Sequence, residues 1–161
     1  MFKMLDKRGN SDTEERIDLI KKYIEWFGKQ SINCLLADRE FVGGKWLEFL
    51  NNENIRYYIR IRNNFKIYSY QKQTEIKAFW LFNNLKVNEF YNYPKIVELH
   101  EQRCYLSGSK TIDRDGNVEF LIMVSFNKPE QAMAYYKKRW QIESLFRGLK
   151  SSGFNIEDTH V

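Results

Sequence analysis

The 161-residue chain has few of the residues that build disulfide frameworks or zinc sites. It contains two cysteines, Cys34 and Cys104, and two histidines, His100 and His160, and none of them has the close spacing of a metal motif. Two cysteines so far apart indicate no disulfide framework. No apolar run approaches the length of a membrane span, and the N-terminus lacks the apolar core of a signal peptide. We therefore expect a cytoplasmic protein with no membrane partner.

The composition indicates a folded, modestly basic domain. The chain is 43% hydrophobic and 16% aromatic, which is typical of globular rather than disordered proteins. With 161 residues it is long enough for one domain with a real core. A net charge of +5 favours a polyanionic partner only weakly, because many soluble proteins are modestly basic. The identity of the partner has to come from the motifs.

A polar stripe is predicted near the C-terminus, in the segment YKKRWQIESLFRGLK. This segment begins at Tyr136 and has no glycine or proline before Gly148, which predicts a helix. At about 100° per residue, four polar residues share a stripe about 60° wide: Tyr136, Arg139, Glu143 and Lys150. The apolar residues cluster elsewhere on the helix, at Ile142, Leu145, Phe146 and Leu149. The stripe therefore borders the buried face and is placed to line a cleft. The alternative is a solvated helix face with an Arg–Glu pair four residues apart.

A carboxylate follows a short apolar segment in the sequence SINCLLADREFVGGKWLEFL. Residues 32–37 form a mostly apolar run that predicts a buried strand, and Asp38 follows at once. Residues 41–50 then carry apolar side chains at helical spacing. A strand, an acid at its carboxyl end and a helix is the order in which open α/β sheets present catalytic groups. The alternative for Asp38 is an ordinary helix cap or loop acid.

Both segments resemble the same family. The spacing Tyr-x-x-Arg-x-x-x-Glu, followed by six residues and Lys, is similar to the signature of one branch of bacterial insertion-sequence transposases of the DDE type. Every position of this signature is filled, by Tyr136, Arg139, Glu143 and Lys150. The stretch LLADREF resembles the segment that carries the second catalytic Asp of the family, which here is Asp38. The resemblance implies an α/β, ribonuclease-H-like catalytic core from a bacterial protein.

The resemblance also implies a metal-dependent reaction on DNA. In this family two Asp and one Glu hold a pair of magnesium ions, and oxygen ligands suit such hard cations. The two ions clamp the attacking and leaving oxygens of a phosphoryl transfer, in which water nicks DNA and a 3′-hydroxyl carries out strand transfer. By this resemblance Asp38 and Glu143 are catalytic residues and metal ligands. No Ser, Cys or His nucleophile is needed.

The same resemblance assigns DNA contacts to the polar stripe. Arg139 and Lys150 would hold phosphates near the cut, and Tyr136 would bond a phosphate or stack on an unpaired base. Neighbouring cations enlarge the positive field, namely Lys137, Lys138 and Arg147. From Tyr136 to Lys150 there are five cations and one anion, a net charge of +4. We therefore expect salt-dependent binding to transposon ends and to target DNA.

A second basic segment, IRYYIRIRNNFKIYSYQK, has strand periodicity. Arg60 and Arg62 alternate with Ile59 and Ile61, and residues 55–72 contain no Asp or Glu. Tyrosine rings interleave with the cations, so one interpretation is a phosphate-contacting sheet edge in which Arg60 and Arg62 bind DNA. The other interpretation is an amphipathic strand with one solvated face. The two interpretations are compatible.

The order of the elements predicts three parts. Residues 1–64 are expected to form a partial ribonuclease-H-like core with the second Asp, residues 65–126 a mainly β insertion, and residues 127–161 the core helix with the Glu. A helix that ends at Gly28 is predicted near the N-terminus, with a capping box of Ser11 and Glu14 at its start. The insertion has candidate strands and one hairpin turn, at residues 77–82, 96–99, 104–107 and 118–125 and at Asp113, Asp115 and Gly116.

The first catalytic Asp of the family has no counterpart in the sequence. Only 37 residues precede Asp38, and the acids among them follow no strand-like run. We therefore expect the C-terminal piece of a transposase catalytic domain, with an exposed sheet edge beside the Asp38 strand and little DNA-cutting activity by itself.

Two other functional classes stay open. One is a non-catalytic DNA-binding or regulatory remnant that pairs with a full-length transposase or with a second copy of itself. The other is a different ribonuclease-H-like nuclease, such as a junction resolvase, which would need a complete set of acids within this chain.

Overall fold

The computed structural model describes residues 13–39 and 42–138. Helix α1, Thr13–Phe27, begins with two acidic residues, which stabilise the positive end of the helix dipole. Its apolar face packs against the core through Ile17, Ile20 and Ile24. The helix ends at Gly28, whose φ of 79° suits a residue without a Cβ atom. The prediction of a helix ending at Gly28 is therefore confirmed, whereas Ser11 of the predicted capping box lies outside the described residues.

A parallel strand pair follows helix α1 and carries the Asp38 segment. Strand β1, Leu35–Ala37, pairs in parallel with strand β2, Tyr57–Ile61, and helix α2, Gly44–Asn52, connects them. Helix α2 begins later than the sequence predicted, because Gly43 is extended, with a φ of −174°, and serves as its N-cap. The second half of the predicted strand 32–37 is confirmed.

Six further strands extend the sheet within the described residues: β3 (Lys66–Ser69), β4 (Thr74–Lys77), β5 (Phe90–Asn92), β6 (Val97–Leu99), β7 (Gln102–Ile112) and β8 (Val118–Ser125). The strand order is β1-β2-β8-β7-β6-β3-β4, and β5 pairs with β7 outside this path. Apart from the parallel pair β1–β2, the strands pair antiparallel. Strand β1 is the terminal strand of the described sheet, and strand β2 lies inside it. The interpretation of residues 55–72 as a sheet edge is therefore wrong for strand β2.

The hairpin between β7 and β8 forms at the predicted position. Its first central residue, Asp113, accepts backbone N–H groups from Asp115 and Asn117 at 2.9 and 2.8 Å. The N–H of Asn117 is the main cause of a lowered pKa for the Asp113 carboxyl. Gly116 completes the turn with a φ of 82°. The predicted strand 118–125 coincides with β8, and the predicted strands 96–99 and 104–107 fall in β6 and β7.

The predicted strand 77–82 is wrong. Strand β4 ends at Lys77, and Ala78–Leu81 is a 3₁₀ turn. Strand alternation would have put Ala78, Trp80 and Phe82 on one face. In the structure Ala78 and Phe82 are fully buried whereas Trp80 is 54% exposed. The backbone N–H groups of Ala78 and Phe79 donate to the carbonyls of Phe65 and Asn63, and these bonds bend the chain into a turn.

Apolar side chains cover both faces of strand β2. The main core contains Tyr57, Ile59 and Ile61, as the alternation predicted. Tyr58, on the opposite face, is also buried, in a second cluster with Met123 and Ala132. The interpretation of this face as wholly solvated is therefore wrong at Tyr58, because the segment after β8 folds back over it.

The fold class predicted from the sequence, α/β, is confirmed. One mixed sheet continues from strand β2 into strand β8, across the predicted boundary between residues 64 and 65. The division into a core and an insertion stays a prediction. None of the helices in the described ranges has the length and apolar character needed to cross a membrane.

Candidate active site beside Asp38

Asp38 directly follows strand β1, at the carboxyl end of the parallel pair. Its side chain is half-buried, and Oδ1 accepts the backbone N–H of Arg39 at 2.7 Å. The carboxyl ends of parallel strands are the positions where open α/β sheets gather functional side chains. The structure therefore puts Asp38 where the sequence predicted an acid at a strand end.

The register of the parallel pair brings Asp38 and Arg60 together. Leu36 pairs with Tyr58 and Ala37 with Ile59, so Asp38 and Arg60 are the next pair of positions on these neighbouring strands. Leu36 and Tyr58 both belong to the second apolar cluster. Because side chains alternate along a strand, Asp38 and Arg60 follow on the face of the sheet that carries this cluster. One predicted catalytic residue and one predicted DNA contact thus share a face.

Residues 132–138 form a helix that packs on this same face. We call it the C-terminal helix. Its Ala132 is buried against Tyr58 and Met123, and Tyr135 and Tyr136 pack around them. Arg60 Nη1 donates to Tyr136 Oη at 3.4 Å. The first residue of the predicted polar stripe therefore lies beside Arg60, one strand away from Asp38.

The neighbouring residue Tyr135 contacts strand β2 and the residues that precede strand β1. Its ring stacks on Tyr58, with the ring centroids 5.0 Å apart and the planes inclined by 11°. Its hydroxyl accepts a bond from Asn33 Nδ2 at 3.3 Å, and Lys138 Nζ lies 4.8 Å from its ring centroid. Sequence analysis missed Tyr135, because the resemblance assigns a role to Tyr136 and gives none to the residue before it. The spacing of three residues between Tyr135 and Lys138 is the one signal that could have indicated the contact.

Burial and nearby cations shift pKa values in opposite directions at the amino end of the parallel pair. Burial raises the pKa of the Cys34 thiol, and the charges of Arg56 and Lys138 oppose this shift. Burial also raises the pKa of the Tyr58 hydroxyl, to about 12, and this hydroxyl donates to Lys128 O at 3.1 Å. Both groups therefore stay protonated at neutral pH, with the cationic Arg56 close to each of them.

Not all predicted DNA contacts meet at this face. Lys137 and Lys138 are exposed on the C-terminal helix. Arg62 instead lines a separate surface cavity of about 620 Å³, together with the carboxylates of Glu75, Glu98 and Glu101. The structure thus places Arg60 with Tyr136 and leaves Arg62 elsewhere. Four predicted site residues lie outside the described residues: Arg139, Glu143, Arg147 and Lys150.

Of the two residues predicted to bind metal, Asp38 lies in the part of the chain that the structure describes and Glu143 does not. Within residues 13–39 and 42–138, no three His, Cys, Asp or Glu side chains lie close enough to share an ion. Asp38 offers carboxylate oxygens, which are the donors that magnesium prefers. Its half-buried position at a strand end fits a metal ligand, and the predicted partner Glu143 lies beyond the described range.

Comparison with known proteins identifies a family for this chain. A family model described as a transposase DDE domain matches residues 4–161. The curated proteins contain no match to the chain. Transposases of this family cleave DNA and transfer its strands, which agrees with the fold and with the side chains gathered beside Asp38. Because the match covers nearly the whole sequence, the chain belongs to the transposase DDE domain family.

Proposed function

We propose that this chain carries the active-site face of an insertion-sequence transposase, which nicks DNA and transfers strands by metal-dependent phosphoryl transfer in the bacterial cytoplasm. The observation that supports this most strongly is the contact between Arg60 and Tyr136 at 3.4 Å. It joins a cation at the strand position next to Asp38 to the first residue of the polar stripe. The cation and the phenol can donate to the oxygens of a phosphodiester, and the carboxylate can hold a metal ion on the same face.

Asp38 and Glu143 are the residues that would hold magnesium. When bound, the metal supplies charge that stabilises the attacking and leaving oxygens of the phosphoryl transfer. On a continued helix Glu143 would lie about 40° from Arg139 and about 20° from Tyr136, by about 100° per residue. Because this spacing puts Glu143 on the same sequence stripe as Tyr136, which contacts Arg60, we propose Glu143 as the partner of Asp38.

Cations on the same face would hold the DNA backbone. Arg60 and Tyr136 are proposed to contact one phosphate together, because the bond between them uses only one of the five N–H donors of a guanidinium group. The stripe residues Arg139 and Lys150 and the flanking Lys137, Lys138 and Arg147 are proposed to add to the positive field. Arg62 is proposed to bind the DNA backbone more weakly, because the carboxylates around it offset its positive charge.

Metal binding by the purified chain tests the first part of the proposal. Mn²⁺, which takes oxygen ligands and is visible by electron paramagnetic resonance, is the probe. Asp38→Asn and Glu143→Gln are each expected to weaken Mn²⁺ binding by about tenfold or more. The matched control is Asp115→Asn, an exposed turn residue, which should leave the affinity unchanged. If the unaltered chain and the three variants bind Mn²⁺ with equal affinity, the proposal of a metal site at Asp38 and Glu143 is wrong.

DNA binding tests the second part. Fluorescence anisotropy with a labelled DNA duplex is expected to show weaker binding of Arg60→Gln and a salt dependence reduced by about one unit of slope. Arg114→Gln loses the same charge at the β7–β8 turn, on a different part of the sheet, and serves as the control. If both variants lose affinity equally, binding follows net charge and not this face. DNA binding with no metal binding would instead favour a non-catalytic, regulatory role.

A further inference from the structure

A row of apolar side chains lies near the β7–β8 turn, on the face of the sheet that carries the main core. The row begins at Ile112 and Val118, which pair across the two strands. Phe120 lies two residues after Val118 on the same face of β8 and stacks on Phe79, with the ring centroids 5.8 Å apart. Phe79 in turn stacks on Trp80, at 5.0 Å. We call these five residues the apolar strip.

Three of the five side chains in the apolar strip are exposed. Trp80, Ile112 and Val118 keep 54%, 50% and 51% of their surface accessible. Phe79 and Phe120 are half-buried, because they also pack against the main core. Continuous exposed apolar surface is typical of interaction sites, and tryptophan often supplies much of the binding energy there. The strip therefore presents exposed side chains on a base that is anchored in the core.

Charged residues give the apolar strip two unlike ends. The turn between β7 and β8 contains two acids and one cation, a net charge of −1, namely Asp113, Arg114 and Asp115. At the other end, Lys77 directly precedes the 3₁₀ turn that carries Trp80. Lys110 Nζ donates to Asn83 O just after that turn, at 3.1 Å. The strip therefore runs from an acidic end to an end with two lysines.

We propose that two copies of this chain associate through the apolar strip. In a two-fold dimer both copies use the same surface, so each contact between two different positions occurs twice. With one strip laid antiparallel on the other, apolar side chains meet in the centre and each acidic end meets the basic end of the other copy. DNA suits this surface less well, because the acidic turn would repel phosphates. Such a dimer does not require metal binding or DNA cleavage by the chain.

Sedimentation velocity of the purified chain, in a dilution series up to about 100 µM, tests for this dimer. We expect a monomer–dimer equilibrium in the unaltered chain. Trp80→Ala should raise the dimer dissociation constant by about tenfold or more, because it removes the largest exposed side chain of the strip. The matched control is Trp26→Ala, since Trp26 is exposed to a similar extent, 56%, but belongs to helix α1. This control should leave the dissociation constant unchanged.

A charge reversal tests the antiparallel arrangement. Asp115→Lys should raise the dimer dissociation constant by about threefold or more, because a cation then faces the basic end of the other copy. Adding Lys77→Asp to this variant should restore the affinity, because the two ends have then exchanged their charges. Both residues are exposed, so neither change disturbs the core.

Several outcomes would overturn the proposed dimer. One is a chain that stays monomeric at every concentration, and another is an equal loss of affinity in Trp80→Ala and Trp26→Ala. A double charge reversal that brings no recovery overturns the antiparallel pairing of the ends. If Trp80→Ala does not fold, Val118→Gln takes its place, and an unchanged dissociation constant in that variant overturns the dimer. A monomer whose DNA binding is weakened by Trp80→Ala and not by Trp26→Ala would instead assign the strip to DNA.

Discussion

Arg60 Nη1 and Tyr136 Oη lie 3.4 Å apart although 76 positions separate the two residues in the sequence. Arg60 belongs to strand β2 inside the sheet, and Tyr136 to the C-terminal helix on one face of it. The contact lies at the carboxyl end of the parallel pair, where Asp38 also lies. Two residues that the sequence assigned to DNA contact for separate reasons thus belong to one surface.

The contact between these residues predicts that their substitutions are not additive. Arg60→Gln and Tyr136→Phe should each weaken binding of a DNA duplex. The loss of binding free energy in the double variant should be about 0.5–1.5 kcal/mol smaller than the sum of the two single losses, because either change already breaks the shared bond. The measurement is a double-mutant cycle by fluorescence anisotropy at one fixed salt concentration. Additive losses would show that the two side chains act separately.

The purified 161-residue chain is expected to cleave DNA little or not at all. Asp38 and Glu143 supply two carboxylates, whereas a pair of metal ions in this chemistry calls for a third. The measurement is gel analysis of labelled end-sequence DNA incubated with the chain and magnesium. Robust cleavage that is abolished in Glu143→Gln would contradict the prediction. It would also mean that a further acid completes the site.

Stability is expected to fall at alkaline pH because of the buried thiol of Cys104. Burial raises the pKa of this thiol from 9.0 to about 12. A group whose pKa is raised in the folded state stabilises that state fully below pH 9.0, and the stabilisation is lost as pH rises towards 12. The free energy of unfolding should thus decrease between about pH 8 and about pH 10.5. This decrease should be about 1–2 kcal/mol larger in the unaltered chain than in Cys104→Ala. Urea denaturation with a reductant measures this difference, and equal pH slopes would argue against it.

Gly108 is expected to tolerate no side chain. A methyl group at this position would lie 2.9 Å from Cδ1 of Phe82, a ring that is fully buried. Gly108→Ala should therefore destabilise the fold by about 1–3 kcal/mol through overpacking. Gly43→Ala is the matched control, since a methyl group there meets nothing within 4 Å. Thermal or urea unfolding compares the two variants, and similar losses in both would mean that the Phe82 ring moves aside at little cost.

Several elements could be predicted from the sequence because their signals are local. The strand 118–125 contains an uninterrupted apolar run, residues 120–124, and follows a turn with Asp113 and Gly116, so both came out at the observed positions. The position of Asp38 after a short apolar strand was equally visible. The segment 77–82 was not predictable in the same way, because its 3₁₀ turn depends on backbone N–H groups that donate to the carbonyls of Asn63 and Phe65, earlier in the sequence.

By itself the sequence determined the fold class, the helix ending at Gly28, the acid at the end of strand β1 and the family resemblance, since these follow from periodicity, turn residues and fixed spacings. Only the tertiary structure decided that strand β2 lies inside the sheet, that Tyr58 is buried under the C-terminal helix, and that Arg60 meets Tyr136 while Arg62 does not. The physical reason is that strand order and helix packing depend on side chains far apart along the chain. A local pattern shows which face of a strand is apolar, but it does not show what covers the other face.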